Sequence, residues 1–135
     1  MKIQTNSSTS KCSCEQGSII LLPCSGGSNC GQIANQAAVE LTKEGAGTIY
    51  CLAGVGAHIE SMVAAVISAE KVVAIDGCPV ACAKKTLEHA GFNIDEYVQV
   101  TELGIEKNHN LDLNPPHVEK VANHLTSLIS KRRGI

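Results

Sequence analysis

The stretch Lys71-Val72-Val73-Ala74-Ile75-Asp76-Gly77-Cys78-Pro79-Val80-Ala81-Cys82-Ala83-Lys84-Lys85 decides the fold. Its β-branched run reads as a buried strand over 71–75, and Asp76-Gly77 reads as a turn. Pro79 suits the first position of a helix that ends near Gly91. Strand, turn and helix in that order make one βα unit. Working back along the chain, two more apolar runs end in a cysteine: Ile19-Ile20-Leu21-Leu22-Pro23-Cys24 and Thr48-Ile49-Tyr50-Cys51. Cys24, Cys51 and Cys78 are evenly spaced, at the interval that a strand, a turn, a helix and a return loop occupy. A thiol therefore falls at the same point of three successive units. In a parallel sheet those points share the carboxyl edge, where open α/β folds build their sites.

The rest of the pattern extends this alternation. Residues 1–16, polar and carrying Cys12-Ser13-Cys14, are expected to form a flexible arm, with a single α/β domain over 17–135. The first strand is expected over 19–23. The small-residue loop Ser25-Gly26-Gly27-Ser28-Asn29 leads into a helix from about Cys30 to Glu44, whose Ile33, Ala34, Ala37, Ala38 and Leu41 form one apolar face. Gly45 and Gly47 end it. A second strand is expected over 48–52, a helix over 58–69, and a short edge strand over 97–101. Glu102 to Asn114 reads as polar loop. Pro115-Pro116 opens a last helix that buries Val118, Val121, Ala122, Leu125, Leu128 and Ile129. Four strands alternating with helices predict a three-layer α/β fold with an open, mostly parallel sheet. Right-handed crossovers predict order 2-1-3-4, flavodoxin-like or Rossmann-like. That order sets the Cys24 loop between those of Cys51 and Cys78.

Composition narrows the function classes. The chain has 135 residues, 44% of them hydrophobic, with 18% charged and a net charge of −2. That balance gives no electrostatic case for nucleic acid, and the lone basic cluster Lys131-Arg132-Arg133 suits a helix C-terminus. No apolar run reaches the roughly 18 residues of a membrane span. The polar start lacks a signal peptide's apolar segment, so a cytoplasmic location is expected. Thiols stay reduced there, so seven cysteines point to metal or thiol chemistry before structural disulfides.

Zn²⁺ takes four ligands, and Cys24, Cys51, Cys78 and Cys82 supply four thiols. Cys82 follows Cys78 by one helical turn, so the two share a face near a helix start that favours negative charge. Buried filling is the competing reading for each thiol, and it is the one favoured for Cys30. A closed four-thiolate site is structural or storage-like, whereas an open position admits Lewis-acid chemistry. The alternative is a thiol-based redox, sulfur-transfer or oxyanion-reducing enzyme, with Cys78 as nucleophile and Cys82 or Cys24 resolving. An iron–sulfur cluster on the same cysteines is a third option.

The Ser25–Asn29 loop at a helix start is also a candidate cradle for a small anion. Low-molecular-weight phosphatases place an arginine six positions after the loop cysteine. Here that position is Cys30, and the chain's only arginines are Arg132 and Arg133, which argues against phosphatase chemistry. His58 reads as a capping or surface residue, and Asp76 as an acceptor of backbone N–H groups. His89, His109, His117 and His124 show no metal spacing. No catalytic base stands out.

At Ile75-Asp76-Gly77-Cys78-Pro79 and Ala81-Cys82-Ala83-Lys84-Lys85 the chain resembles the DGC-domain family of proposed zinc-binding proteins. The similarity extends over Pro23-Cys24-Ser25-Gly26, Tyr50-Cys51-Leu52-Ala53-Gly54-Val55-Gly56 and Thr101-Glu102-Leu103-Gly104-Ile105-Glu106-Lys107. It covers nearly everything from residue 18 to the last helix. The resemblance implies zinc as cofactor and Cys24, Cys51, Cys78 and Cys82 as its ligands. It carries no defined reaction, so whether the chain is an enzyme stays open.

Overall fold

The computed structural model describes residues 18–133. The expected arm, with Cys12 and Cys14, lies outside the described residues. In chain order the elements are β1 (Ile19–Pro23), α1 (Asn29–Lys43), β2 (Thr48–Ile49), α2 (Leu52–Gly56) and α3 (Glu60–Ser68). They continue with β3 (Lys71–Asp76), α4 (Cys82–His89), β4 (Glu96–Gln99), a 3-10 turn (Val100–Leu103) and α5 (Pro115–Arg133). The four strands form a parallel sheet in the order β2-β1-β3-β4, the 2-1-3-4 arrangement read from the sequence. β1 and β3 pair from Ile19↔Lys71 to Pro23↔Ile75, and the Cys24 N–H extends the ladder to the Ile75 carbonyl at 2.9 Å.

The near-continuous apolar character of β1 and β3 has a direct cause: both faces of the sheet are covered. Alternate residues point to opposite layers. Ile19, Leu21, Val73 and Ile75 pack with Ile33, Ala37 and Leu41 of α1 and Val121, Leu125 and Ile129 of α5. Ile20, Leu22, Val72 and Ala74 pack with Val55 of α2, Val66 of α3, and Ala83 and Leu87 of α4. Three layers result, with the loops that follow β1, β2 and β3 gathered at one edge of the sheet. Among the described residues no helix is long and apolar enough to cross a membrane.

Several boundaries differ from the sequence reading; the edge strand expected over 97–101 is β4 at Glu96–Gln99, with Val100–Leu103 in the 3-10 turn. β2 is two residues long because the chain leaves the sheet at Tyr50, whose N–H still reaches the Leu21 carbonyl at 2.9 Å. The helix expected over 58–69 is α3, and an unexpected short helix, α2, precedes it where the strand was expected to run to 52; the two are separated at His58, where φ is +60°. α4 begins at Cys82, well after Pro79, because Ala81 adopts a left-handed φ of +60°.

Leu125 is fully buried between α5 and α1. Leu125→Ala is expected to destabilise the fold by about 2–5 kcal/mol, from lost transfer free energy and the cavity left behind. Urea unfolding followed by circular dichroism checks this.

Candidate functional site

The turn after β3 is anchored by Asp76, which is 1% exposed. Its Oδ1 accepts from the Ala83 N–H at 2.7 Å, and its Oδ2 accepts from the Lys84 N–H at 3.0 Å and the Tyr97 hydroxyl at 2.9 Å. Ala81, the residue before α4, has no capping side chain. The carboxylate of Asp76 does that work from five residues away, satisfying two of the N–H groups that every helix start leaves over. Burial raises the Tyr97 hydroxyl pKa well above its usual value, and the bond to Asp76 and nearby negative charge raise it further. Lys84 Nζ lies 5.3 Å from the centre of the Tyr97 ring, on the outer side of the same cluster.

Beside this anchor the start of α1 presses against the turn. A Cβ added to Gly77 would stand 2.6 Å from the Gly31 nitrogen and 2.8 Å from the Cys30 carbonyl carbon. Backbone lies against backbone there, which only glycine permits. The end of β1, paired with the end of β3, and the Gly77-Cys78 turn both line a cavity of about 240 Å³. Cys24, Cys78 and Cys82 all line it, with Lys107 and His109 on its remaining side. Among the described residues, two of the three left-handed non-glycine residues adjoin these thiols: Ser25 (φ +54°) follows Cys24, and Ala81 precedes Cys82.

The four candidate ligands are thus divided. Three share the cavity. Cys51 lines an adjoining pocket of about 480 Å³ together with Cys24, Tyr50 and Thr86, so Cys24 is the wall between the two. The Cys51 sulfur accepts from the Gly54 N–H at 3.4 Å, capping its own helix α2. Cys82 stands at the first residue of α4, in contrast to the expected position one turn inside a longer helix, yet it still shares the cavity with Cys78. Cys30 is filling: it is fully buried among Ile33, Val100 and Ile105, and its thiol donates to the Ile105 carbonyl at 3.6 Å.

As a donor set, three thiols from two segments suit a soft metal ion. Backbone N–H groups of Gly26 and Gly77 at the Cys24 sulfur, and the Lys107 ammonium 3.4 Å from the Cys78 sulfur, offset negative charge. The arrangement itself is not yet a ligand set. Among the described residues, no group of three or more His, Cys, Asp or Glu is placed to hold a metal ion.

Hydrogen bonds tie the Ser25–Asn29 loop and the start of α1 to each other and to the loop at Asn108. The Asn29 N–H reaches the Asn108 carbonyl at 2.9 Å, the Gly31 N–H reaches Ser28 Oγ at 3.2 Å, and the Gln32 N–H reaches the Ser28 carbonyl at 3.0 Å. His58 is exposed and touches His89 with ring centres 5.7 Å apart, away from the thiols. Sequence reasoning passed over Asn29, Lys107 and His109, because the loop that carries the last two lies more than 70 residues from the cysteine loop it meets. The one available signal is Ile105, a lone aliphatic in a polar stretch, which proves to be a 2%-exposed plug in the core.

Comparison with known proteins gives a family match. The DGC domain matches residues 20–125. The chain is 30% identical over 117 residues to the "Anaerobic and virulence modulator AnvM" of Pseudomonas aeruginosa, which covers 84% of this chain and 89% of that protein. No solved structure matches.

Burial is the largest influence on both the Cys24 and Cys30 thiols and raises their pKa above the ordinary 9.0. For Cys24 the N–H groups of Gly26 and Gly77 oppose the rise, while the charges of Asp76 and Cys82 add to it. Above the unfolded value the folded state binds more protons, so the contribution is complete below about pH 9 and is lost as pH rises through the folded values. Metal-free, reduced protein should therefore show a urea midpoint that declines above about pH 9, with a shallower decline in Cys24→Ser. A midpoint that rises across that range contradicts the assignment.

Proposed function

The chain belongs to the DGC-domain family, and on that premise we propose that it is a cytosolic thiol-site protein that binds a soft divalent metal ion, zinc first, through Cys24, Cys78 and Cys82. The observation that carries the reading is the convergence of three thiols, one after β1 and two in the β3–α4 connection, on one cavity at the carboxyl edge of the sheet. Thiolate is a preferred zinc donor, and three protein ligands leave a fourth position to fill. Either Cys51 gives up its helix cap to supply the fourth, or a ligand from outside does. The first closes the site and makes it structural or storage-like; the second leaves it open to small molecules. The five described cysteines are all unpaired, which supports a reducing compartment. The virulence and anaerobic roles named for the Pseudomonas protein are not needed for this reading.

A second reading has its own support in the hydrogen bond from Lys107 Nζ to the Cys78 sulfur. A cation at one thiol, with two more thiols lining the same cavity, suits thiol exchange: Cys78 attacks a disulfide or another sulfur electrophile, and Cys82 or Cys24 resolves the mixed disulfide.

Anaerobic purification, elemental analysis and alkylation mapping test both. The metal reading expects about one zinc per chain, lost in Cys78→Ser and Cys24→Ser, with the cavity thiols protected from alkylation until a chelator is added. Absence of metal, together with a Cys24–Cys78 or Cys78–Cys82 disulfide that cycles with a reductant, would transfer the site to the second reading. Iron with visible absorption would assign the thiols to a cluster instead.

A further inference from the structure

The loop from Gly104 to Asn114 is the part of the cavity wall that no cysteine motif accounts for. Ile105 fixes it to the core. Just beyond, it is tied to the first residue of α1. Asn29 Nδ2 donates to the Glu106 carbonyl at 2.8 Å, Asn29 Oδ1 accepts from the Asn108 N–H at 2.6 Å, and the Asn29 N–H donates to the Asn108 carbonyl at 2.9 Å. Asn29 is 6% exposed and spends both ends of its amide on this loop. A buried amide satisfied in this way is costly to break. The one residue between the two tied positions is Lys107. Its backbone is therefore held, and its ammonium reaches the Cys78 sulfur at 3.4 Å. His109 lines the same cavity just past the clamp.

We infer that this loop makes the thiol cavity selective for small anionic ligands directed at sulfur, with Lys107 as the selecting charge and Asn29 as the residue that positions it. The inference rests on the reading of the thiol cavity as the functional site. It is independent of which metal, if any, that cavity holds. The opposing charge in the cavity wall is Asp76, but its two oxygens already accept from Ala83, Lys84 and Tyr97. In the Ser25–Asn29 loop the Asn29 N–H is taken up by the Asn108 carbonyl and the Gly26 N–H is directed at the Cys24 sulfur. Lys107 is the one lysine or arginine among the residues that line the cavity, so the attraction of an anion is assigned to it. Cys51, in the adjoining pocket, has no such partner: its sulfur bond comes from the Gly54 N–H.

A pair of alkylating reagents isolates the effect. Iodoacetate is an anion and iodoacetamide is neutral; both place a carbon on the same sulfur and release iodide. The ratio of their rates at one cysteine cancels that thiol's intrinsic reactivity and leaves the charge preference. Rates are read cysteine by cysteine by mass spectrometry, on the reduced full chain with a chelator present. The ratio at Cys78 is expected to exceed that at Cys51 by about fivefold at low salt, the size of one unit-charge attraction near a solvated surface. The excess should shrink as salt screens it. Lys107→Gln should bring the Cys78 ratio down to the Cys51 value, and Lys107→Arg should keep it. Asn29→Ser retains the lysine but removes the amide clamp, and should lower the ratio while the circular dichroism spectrum stays native. Equal ratios at Cys78 and Cys51 in the unaltered chain would overturn the inference. So would a Cys78 ratio that neither Lys107→Gln nor Asn29→Ser changes. Because the measurement uses metal-free protein, its failure is separate from a failure to find zinc.

Discussion

The whole thiol site hangs on the approach of two backbones, Gly77 after β3 and Gly31 in the first turn of α1. A methyl group on either would meet main-chain atoms: Gly77 would strike Gly31 and Cys30, and Gly31 would strike Gly26. These atoms belong to a strand end, a loop and a helix start, so none can yield like the tip of a flexible side chain. The three segments sit this close where Cys24 and Cys78 line one small cavity. Gly77 also sends its N–H toward the Cys24 sulfur, so the same contact that sets the spacing supplies polar support to the thiol.

Around that contact the charges are arranged in opposition. Asp76 is buried and fully engaged on the α4 side, where its carboxylate replaces the missing side-chain cap and orders the residue pair Ala81-Cys82. Lys107 comes from the other side, on a loop held by Asn29. The Asp76 charge acts on Cys24, and the Lys107 ammonium stands at Cys78. Left-handed backbone at Ser25 and Ala81 costs free energy that an ordinary turn would avoid. Non-glycine residues in such conformations cluster at functional sites, and here two of them adjoin cavity cysteines.

The strand order and the two-faced core were legible because they depend on periodicity and on local succession. Continuous apolar runs at 19–23 and 71–75, and the i, i+4 stripes of α1 and α5, survive whatever the loops do. Even spacing of Cys24, Cys51 and Cys78 correctly put them at one sheet edge. It did not resolve distances within that edge, so the separation of Cys51 into a neighbouring pocket was not visible. Nor was the late start of α4: Pro79 is a good first helical residue, but the buried carboxylate of Asp76 binds the N–H groups of residues 83 and 84, and that sets the helix start at Cys82. Asn29 and Lys107 were illegible for a different reason. Asn29 bonds residues 106 and 108, and Lys107 bonds Cys78, so both contacts join residues far apart in sequence, and no periodic pattern records them.

The central claim is that the sulfurs of Cys24, Cys78 and Cys82 surround one cavity, with Cys51 beyond Cys24. A crystal structure of the reduced chain, with sulfur positions located by their anomalous scattering, tests it most directly. The account predicts the first three sulfurs around a single pocket capped by Lys107, and the Cys51 sulfur on the far side of Cys24. Sulfur peaks for Cys24 and Cys78 on separate surfaces of the molecule, with the Gly77 turn lifted away from α1, would contradict it.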